Sequence, residues 1–287
     1  MQSVNFFFLK IIIAFVVFGC SNETADTETG SPLEPSKYYE ELNISYGNDN
    51  NQVFDLFLPA NRNANTKILI LVHGGGWTSG DKSSMNAIRD LIRQDFPDVA
   101  IANINYRLAD SNNSPYPMQI NDITSVVDFL KANKTNYNVS EKLGFIGTSA
   151  GAHLSLLWSY AFDTNNNVNM VCSIVGPTNF TDPAYLENAN PELQNLLNLY
   201  GLNPNLDFLE EISPYHQVTT SSPPTILFYA GQDELIPTTQ GTDMRDKLSD
   251  LDIIHEFTLY PNVGHSLGVL EIIDAWNKLK TFISNQL

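Results

Sequence analysis

The chain has 287 residues, enough for one large domain with a sizeable core. Its 32 acidic residues against 15 basic ones give a formal charge of −17. A surface this acidic repels nucleic acid and other polyanions, which argues against a phosphodiesterase and is otherwise explained by solubility.

The first 20 residues stand apart. Phe6–Leu9 and Ile11–Phe18 are apolar, Lys10 interrupts them, and Gly19 and Cys20 follow. The stretch is too short and too broken to span a bilayer comfortably, so residues 1–19 read as an export signal. Val17-Phe18-Gly19-Cys20 resembles a bacterial lipobox, in which the cysteine becomes the lipidated first residue of the mature protein. The resemblance implies a bacterial lipoprotein on the periplasmic or cell-surface side, touching the membrane only through the lipid on Cys20. An ordinary cleaved signal would instead give a secreted protein. Residues 20–36 are rich in Ser, Thr, Glu, Asp, Pro and Gly. They have too little apolar surface to fold and read as a solvated tether, leaving 37–287 as the folded domain.

That domain opens with an antiparallel hairpin predicted at Asn43–Tyr46 and Gln52–Leu58. Strands follow at 67–72, 99–104, 142–146, 170–175, 225–230 and 254–260. Helices fall between and after them, near 82–95, 117–133, 149–162, 238–250 and 267–285. Such alternation implies an α/β fold with a mostly parallel, eight-stranded sheet and helices on both faces. Leu154, Leu156, Leu157, Trp158, Tyr160 and Phe162 make the helix at 149–162, which follows the fifth predicted strand, apolar nearly all round, which predicts burial. In the last helix Leu270, Ile273, Trp276, Leu279 and Ile283 recur at helical spacing and predict a core-facing stripe. Segment 176–222, rich in Pro, Asn and Asp, breaks the alternation and is a candidate cap or pocket wall. Of the two cysteines, Cys172 lies in a predicted strand and reads as a small buried hydrophobe.

Two motifs sit at strand ends. His73-Gly74-Gly75-Gly76-Trp77 follows the apolar run 67–72. Consecutive glycines leave backbone N–H groups uncovered, as an acyl-transfer enzyme needs to hold the oxyanion of a tetrahedral intermediate. Gly147-Thr148-Ser149-Ala150-Gly151 follows a second apolar strand and opens a helix, the setting of a nucleophile elbow. Asp233 and His265 each come just after a later strand. Glycine loop, serine, acid and histidine thus follow the chain order of an α/β-hydrolase, at the sheet edge where open parallel sheets bind ligands. Ser149 is the candidate nucleophile, His265 its base and Asp233 the acid that orients the base. Asp233 is preferred to Glu234 because the Gly-x-Asp turn fits the template. The candidate oxyanion donors are the N–H groups of Gly75, Gly76 and Ala150.

His73, Trp77, Asn105-Tyr106-Arg107-Leu108-Ala109 and the run Gly147–Leu154 resemble the hormone-sensitive-lipase-like esterases. Asp55-Leu56-Phe57-Leu58-Pro59 and Gly80-Asp81-Lys82 bring the chain nearer to their bacterial acetyl/feruloyl esterase relatives. The likeness runs from about Leu42 to the C-terminus. It implies an α/β-hydrolase that cleaves short-chain acyl esters, including acetyl or feruloyl groups on polysaccharide, and needs no cofactor. Thr148 and Asp110-Ser111 depart from the family pattern and bear on pocket shape. The elbow sequence also resembles arylformamidases, so an amide hydrolase is the alternative enzyme; a non-catalytic binding module on the same scaffold is the alternative outside enzymes.

The remaining candidates have plainer readings. His73 is expected to tie down the glycine loop, Trp77 to shield that loop or line the acyl pocket, and His153 to be a satisfied core histidine. His216, in a loop, and His255, on a strand, carry no ligand signature. Arg107 with Asp122, and Asp81 with Lys82, are expected to be structural pairs. No Cys/His/Asp cluster has zinc spacing and no nucleotide-binding glycine motif follows a strand, so neither metal nor nucleotide is expected.

Overall fold

The computed structural model describes residues 33–201 and 205–287. The signal, Cys20 and most of the tether lie outside the described residues. Among the described residues the strands are β1 (Tyr39–Ser45), β2 (Val53–Leu58), β3 (Ile68–Val72), β4 (Ala100–Ile104), β5 (Leu143–Thr148), β6 (Val168–Ile174), β7 (Thr225–Ala230) and β8 (His255–Tyr260). The helices are α1 (Asn86–Asp95), α2 (Pro115–Ala132), α3 (Lys134–Tyr137), α4 (Ala150–Ala161), α5 (Pro183–Leu186), α6 (Pro191–Asn198), α7 (Leu206–Glu211), α8 (Pro214–Gln217), α9 (Thr238–Asp250) and α10 (Val269–Gln286).

The eight strands form one sheet in the order β1-β2-β4-β3-β5-β6-β7-β8. The pairs β1–β2 and β2–β4 are antiparallel, and all the others are parallel. Strand order reverses at β3, which has β4 on one side and β5 on the other. That switch point is where the glycine loop and the serine turn both emerge. The opening hairpin begins earlier than the sequence predicts, at Tyr39, and a bulge between Glu41 and Ile44 absorbs Asn43 at φ 57°.

Every residue of β3, β4 and β7 is buried, as strands covered on both faces must be. Strand alternation divides the core into two clusters. Ile68, Ile70 and Val72 face one that includes residues of α2, α4 and α9. Leu69 and Leu71 face the other, completed by Ile92 of α1 and by Ala275, Leu279, Phe282 and Ile283 of α10. From Ala150 to Ser159 every residue of α4 is buried, in keeping with its all-round apolar sequence.

Three expectations are corrected. The folded body begins by Leu33, within the stretch read as tether: the Leu33 N–H donates to the Asn136 carbonyl at 3.1 Å, and the Arg62 N–H donates to that of Pro35 at 3.2 Å. Leu33 packs on the core, which gives this stretch an apolar anchor that its polar composition concealed. Leu270 and Ile273 are not core residues: they are 78% and 54% exposed. The buried stripe of α10 starts only at Ala275; in the turns before it Ile272 lines a cavity, and Leu270 and Ile273 face solvent. Finally, Lys82 does not pair with Asp81. Its ammonium lies 3.2 Å from Asp55 Oδ1 and donates to Asn43 Oδ1 at 2.8 Å.

The α10 boundary has a direct test. Phe282→Ala should cost about 3–5 kcal/mol, the range for emptying a buried aromatic site. Leu270→Ala should change stability by no more than ~0.5 kcal/mol, as surface changes do. Urea unfolding of the two variants measures both; equal losses would place Leu270 in the core after all.

Candidate active site

The turn from β5 into α4 carries Ser149 at φ 50° and ψ −121°, a strained conformation for a residue with a side chain. Its flanks must be glycine. A Cβ on Gly147 would lie 2.4 Å from the Gly151 carbonyl oxygen, and one on Gly151 would lie 2.3 Å from the carbonyl oxygens of Val72 and His73. The elbow is therefore pressed directly against the end of β3, with backbone meeting backbone.

His265, after β8, reaches Ser149 with Nε2 at 2.9 Å from Oγ. Its Nδ1 lies 2.7 Å from Asp233 Oδ2. An ionised carboxylate only accepts, so Nδ1 carries the proton and Nε2 is left to accept from the serine hydroxyl. The Asp233 side chain is 1% exposed. Its other oxygen accepts from the N–H groups of Leu235 and Ile236, at 2.9 Å each, which aims the carboxylate and compensates its burial. Glu234 makes no contact with His265; its carbonyl takes a side-chain hydrogen bond from Asn190. Sequence order placed these three groups on three different strand ends, and the fold brings them into one hydrogen-bonded line.

Beside that line the glycine loop holds Gly75 at φ 117° and Gly76 at φ 56°. A Cβ on Gly75 would meet the Ser79 carbonyl oxygen at 2.1 Å. Among the described residues, no backbone or side-chain acceptor takes the N–H of Gly75, Gly76 or Ala150. Unpaired N–H groups next to a nucleophile are what an oxyanion requires.

The loop is clamped from behind. His73 is buried, and its Nδ1–H donates to the Gly74 carbonyl at 2.6 Å. Its ring stacks on Tyr106 with centroids 4.3 Å apart, while the Tyr106 hydroxyl donates to the His73 carbonyl at 2.8 Å. Burial lowers the His73 pKa below the ordinary imidazole value. Gln119 Nε2 donates to the carbonyls of both Trp77 and Arg107, at 2.7 and 2.8 Å. Arg107 in turn pairs with the fully buried Asp122 at 2.6 Å. On the far side of the loop Asp81 caps the 3₁₀ turn Lys82–Met85; hydrogen bonds from Ser83 and Asn105 hold its carboxyl down at about 2.

Trp77 does not line the large cavity described below. It is 2% exposed and packs behind the loop against His153, Phe180 and Tyr200, walling only a small void beside Ser149. Its indole N–H donates to His153 Nδ1 at 3.2 Å, and His153 Nε2–H donates to the Ile212 carbonyl at 2.8 Å. His153 is thus a fully satisfied, neutral core residue that links the glycine loop to segment 176–222. No local pattern in the sequence signals that link. His216 lies on the short helix α8, not in a loop, and meets Thr181 Oγ1 at 2.9 Å; His255 is held by Ser249 and the Ile253 carbonyl. Cys172 is buried in β6, and burial pushes its thiol pKa up.

A cavity of about 800 Å³ opens over Ser149 and His265 and runs between α1 and α10. Ile88, Leu91, Leu267, Ile272, Trp276 and Leu279 make its apolar wall. Segment 176–222 contributes Glu192 and Leu196 to the lining. Thr148, one of the family departures, also lines the cavity, whereas Asp110 only closes its own loop onto the N–H groups of Asn112 and Asn113. Among the described residues no group of three His, Cys, Asp or Glu side chains is arranged to hold a metal ion.

His153 gives the site a pH signature in stability. Burial lowers its pKa from 6.5 to about 4 in the folded state, so folding favours the neutral ring. Its contribution is complete above pH 6.5 and is lost as the pH falls toward about 4, because only the unfolded chain takes up the proton in that window. The urea midpoint should therefore drop more steeply between these two pH values in the wild type than in His153→Gln. Parallel pH profiles would show that His153 is not the group responsible.

Comparison with known proteins gives the family. The BD-FAE family model matches residues 54–248. Esterase LipC of Mycobacterium tuberculosis is 23% identical over 257 residues, covering 83% of this chain and 62% of that protein. The acetyl esterase of Salmonella schwarzengrund is 33% identical over 95 residues, covering 32% of this chain and 28% of that one. The chain therefore spans less than two thirds of the length of either curated relative. Among solved structures, a truncated carbohydrate esterase from gut microbiota superposes with a TM-score of 0.68 at 19% identity, covering 88% of this chain and 100% of that one. An acetyl ester-xyloside bifunctional hydrolase from Caldicellulosiruptor lactoaceticus gives 0.67 at 17% identity, covering 89% and 97%. At these identities the structures speak to architecture, and the architecture is the α/β-hydrolase fold. With its glycine loop, elbow and most of its sheet inside the matched region, the chain belongs to the BD-FAE family.

Proposed function

We propose that the protein is a carboxylic ester hydrolase that works through an acyl-enzyme on Ser149. The observation that carries this reading is the unbroken line from Ser149 Oγ through His265 to Asp233, at 2.9 and 2.7 Å, beside three unpaired N–H groups. Relatives named as esterases support it.

In the first half-reaction Ser149 Oγ attacks the ester carbonyl carbon while its proton passes to His265 Nε2. Asp233 keeps the ring in the tautomer that can accept and stabilises the imidazolium that forms. The carbonyl oxygen becomes an oxyanion facing the N–H groups of Gly75, Gly76 and Ala150, and the N-terminal end of α4 adds a favourable dipole. The tetrahedral intermediate collapses as His265 Nε2–H protonates the departing alkoxide. Water repeats the cycle with His265 as base and frees the acid. The short segment 176–222, with no long apolar run to shelter a fatty chain, favours short acyl groups.

The enzyme is further proposed to be exported and held at a bacterial membrane by a lipid on Cys20, on the strength of the Val17–Cys20 motif. One chain alone binds a membrane only marginally, so this reading requires the two or more chains of a diacylglyceryl-type anchor.

Two sets of measurements test these readings. Ser149→Ala should remove nearly all turnover of p-nitrophenyl acetate without loss of fold, and a serine-directed phosphonate should label Ser149 alone. Asp233→Asn should lower kcat by ~10⁴, as losing the correct histidine tautomer does elsewhere. Wild-type turnover by Ser149→Ala would sink the mechanism. For location, the full chain expressed in a bacterial host should partition with membranes, and Cys20→Ala should release it or leave its signal uncleaved. Mature protein free in the medium and starting at another residue would replace the anchor with plain secretion.

A further inference from the structure

The two sides of Ser149 differ in size by more than an order of magnitude. On one side is the cavity of about 800 Å³, whose lining includes His265, Ser266 and Leu267. Also against Ser149 is a void of about 20 Å³, walled by Trp77, Ala150 and Leu193 and sharing Gly76, Leu196 and Leu235 with the large cavity. His265 belongs to the wall of the first and not of the second.

Chemistry decides which half of an ester goes where. The tetrahedral carbon carries four substituents: Ser149 Oγ, the oxyanion, the leaving oxygen and the acyl carbon. The oxyanion must face the glycine-loop N–H groups, and the leaving oxygen must lie within reach of His265 Nε2, which protonates it. The alcohol is thereby directed into the large cavity, and the acyl carbon is directed away from His265 into the small void. A void of about 20 Å³ holds one group the size of a water molecule, for which ~10–15 Å³ is the minimum. A methyl group fits. A propyl chain would have to displace Leu193, which is fully buried, or its neighbours Leu196 and Leu235.

The large cavity selects by polarity. Hydroxyls of Thr78, Ser79, Ser84, Thr148 and Ser266 reach its lining, but its larger side chains are mainly Ile88, Leu91, Leu267, Ile272, Trp276 and Leu279. The Trp276 indole N–H is spent on Asp95 Oδ2 at 2.9 Å, so the ring offers the cavity only its apolar surface. Among the described residues, Glu192 is the one ionisable side chain on this lining apart from His265, and no Asn, Gln, Asp, Lys or Arg is there to receive sugar hydroxyls. Burying those hydroxyls without partners would be costly. An apolar alcohol loses nothing by entering.

Resting on the ester-hydrolase reading above, we infer that the preferred substrates are acetate esters of bulky, apolar alcohols. The acetyl methyl occupies the void beside Leu193, and the aryl or alkyl part of the alcohol occupies the cleft between α1 and α10. Carbohydrate acetates and feruloyl esters are poorer substrates, the first because a mainly apolar wall leaves most sugar hydroxyls unpaired and the second because a ring cannot enter the acyl slot.

The test is a kcat/KM profile of the wild-type protein on esters of matched primary-alcohol reactivity, with p-nitrophenyl acetate alongside. 2-Phenylethyl acetate should exceed 6-O-acetylglucose, 2-phenylethyl butyrate and methyl ferulate by about tenfold or more, since a single misfit methylene in an apolar pocket is worth 10–200-fold. Leu196→Ala, at a half-buried site, should raise the butyrate-to-acetate ratio by ~tenfold. Ile272→Ser, on the exposed part of α10, should lower the ratio of 2-phenylethyl acetate to ethyl acetate. Faster turnover of methyl ferulate or the butyrate would put the acyl group in the large cavity and overturn the assignment. Faster turnover of 6-O-acetylglucose would overturn the apolar alcohol. Activity on p-nitrophenyl acetate with either reversed ranking defeats this inference alone, whereas inactivity on every ester, acetate controls included, defeats the hydrolase reading with it.

Discussion

The whole site depends on how closely two adjacent parallel strands approach at their C-terminal ends. β3 delivers the glycine loop and β5 the serine turn, and the two ends touch backbone to backbone, with Gly151 seated on the Val72 and His73 carbonyls. That contact fixes the distance between the Ser149 hydroxyl and the unpaired N–H groups. Any side chain between them would push the nucleophile away from the groups proposed to stabilise its product. The positive φ of Ser149 is the conformational cost of this arrangement, and the buried sheet on either side is what sustains it.

Around this contact a set of polar groups supports the glycine loop, although His73 Nε2 and Gln119 Oε1 are themselves buried without a partner among the described residues. His73, Tyr106, Gln119 and the Arg107–Asp122 pair hold the glycine loop from below. Lys82, between Asp55 and Asn43, fastens the turn that follows it to the opening hairpin. These residues do not meet substrate in the proposed reaction. Their effect is to let the loop present its N–H groups in one orientation before any charge develops, which is where preorganisation acts.

Much of this was legible in the sequence, for a physical reason. Strands buried on both faces leave uninterrupted apolar runs, and a nucleophile elbow admits glycine alone at its flanks, so 67–72 and Gly147–Gly151 announce themselves. Asp233 could be proposed because it follows such a run, Thr225–Ala230, and His265 because it follows the half-exposed strand His255–Tyr260 in the order the fold requires. What could not be read is tertiary. The Trp77–His153–Ile212 link joins three segments far apart in the chain, and Lys82 chooses Asp55 over the adjacent Asp81 because folding brings the hairpin underneath it. The stripe on α10 misled at Leu270 and Ile273 because helical spacing identifies a face and is silent on where along the helix that face meets the core. Pocket polarity and the unequal spaces around Ser149 arise from α1, α6 and α10 meeting, and no single stretch encodes them.

The excursion between β6 and β7 has a further consequence for how such a protein can change over evolutionary time. It supplies Leu193 and Leu196 beside Ser149, whereas Asp233 and His265 follow the ends of β7 and β8 and lie outside it. Closing a longer surface loop costs only slightly more than closing a short one. Residues can therefore be gained or lost in the exposed turns of this excursion, away from buried anchors such as Phe180, Leu193 and Ile212, with little strain on the strands that precede Asp233 and His265. Segments of this kind are where lineages sharing one chemical core diverge in diet, the machinery staying fixed while the room beside it is rebuilt.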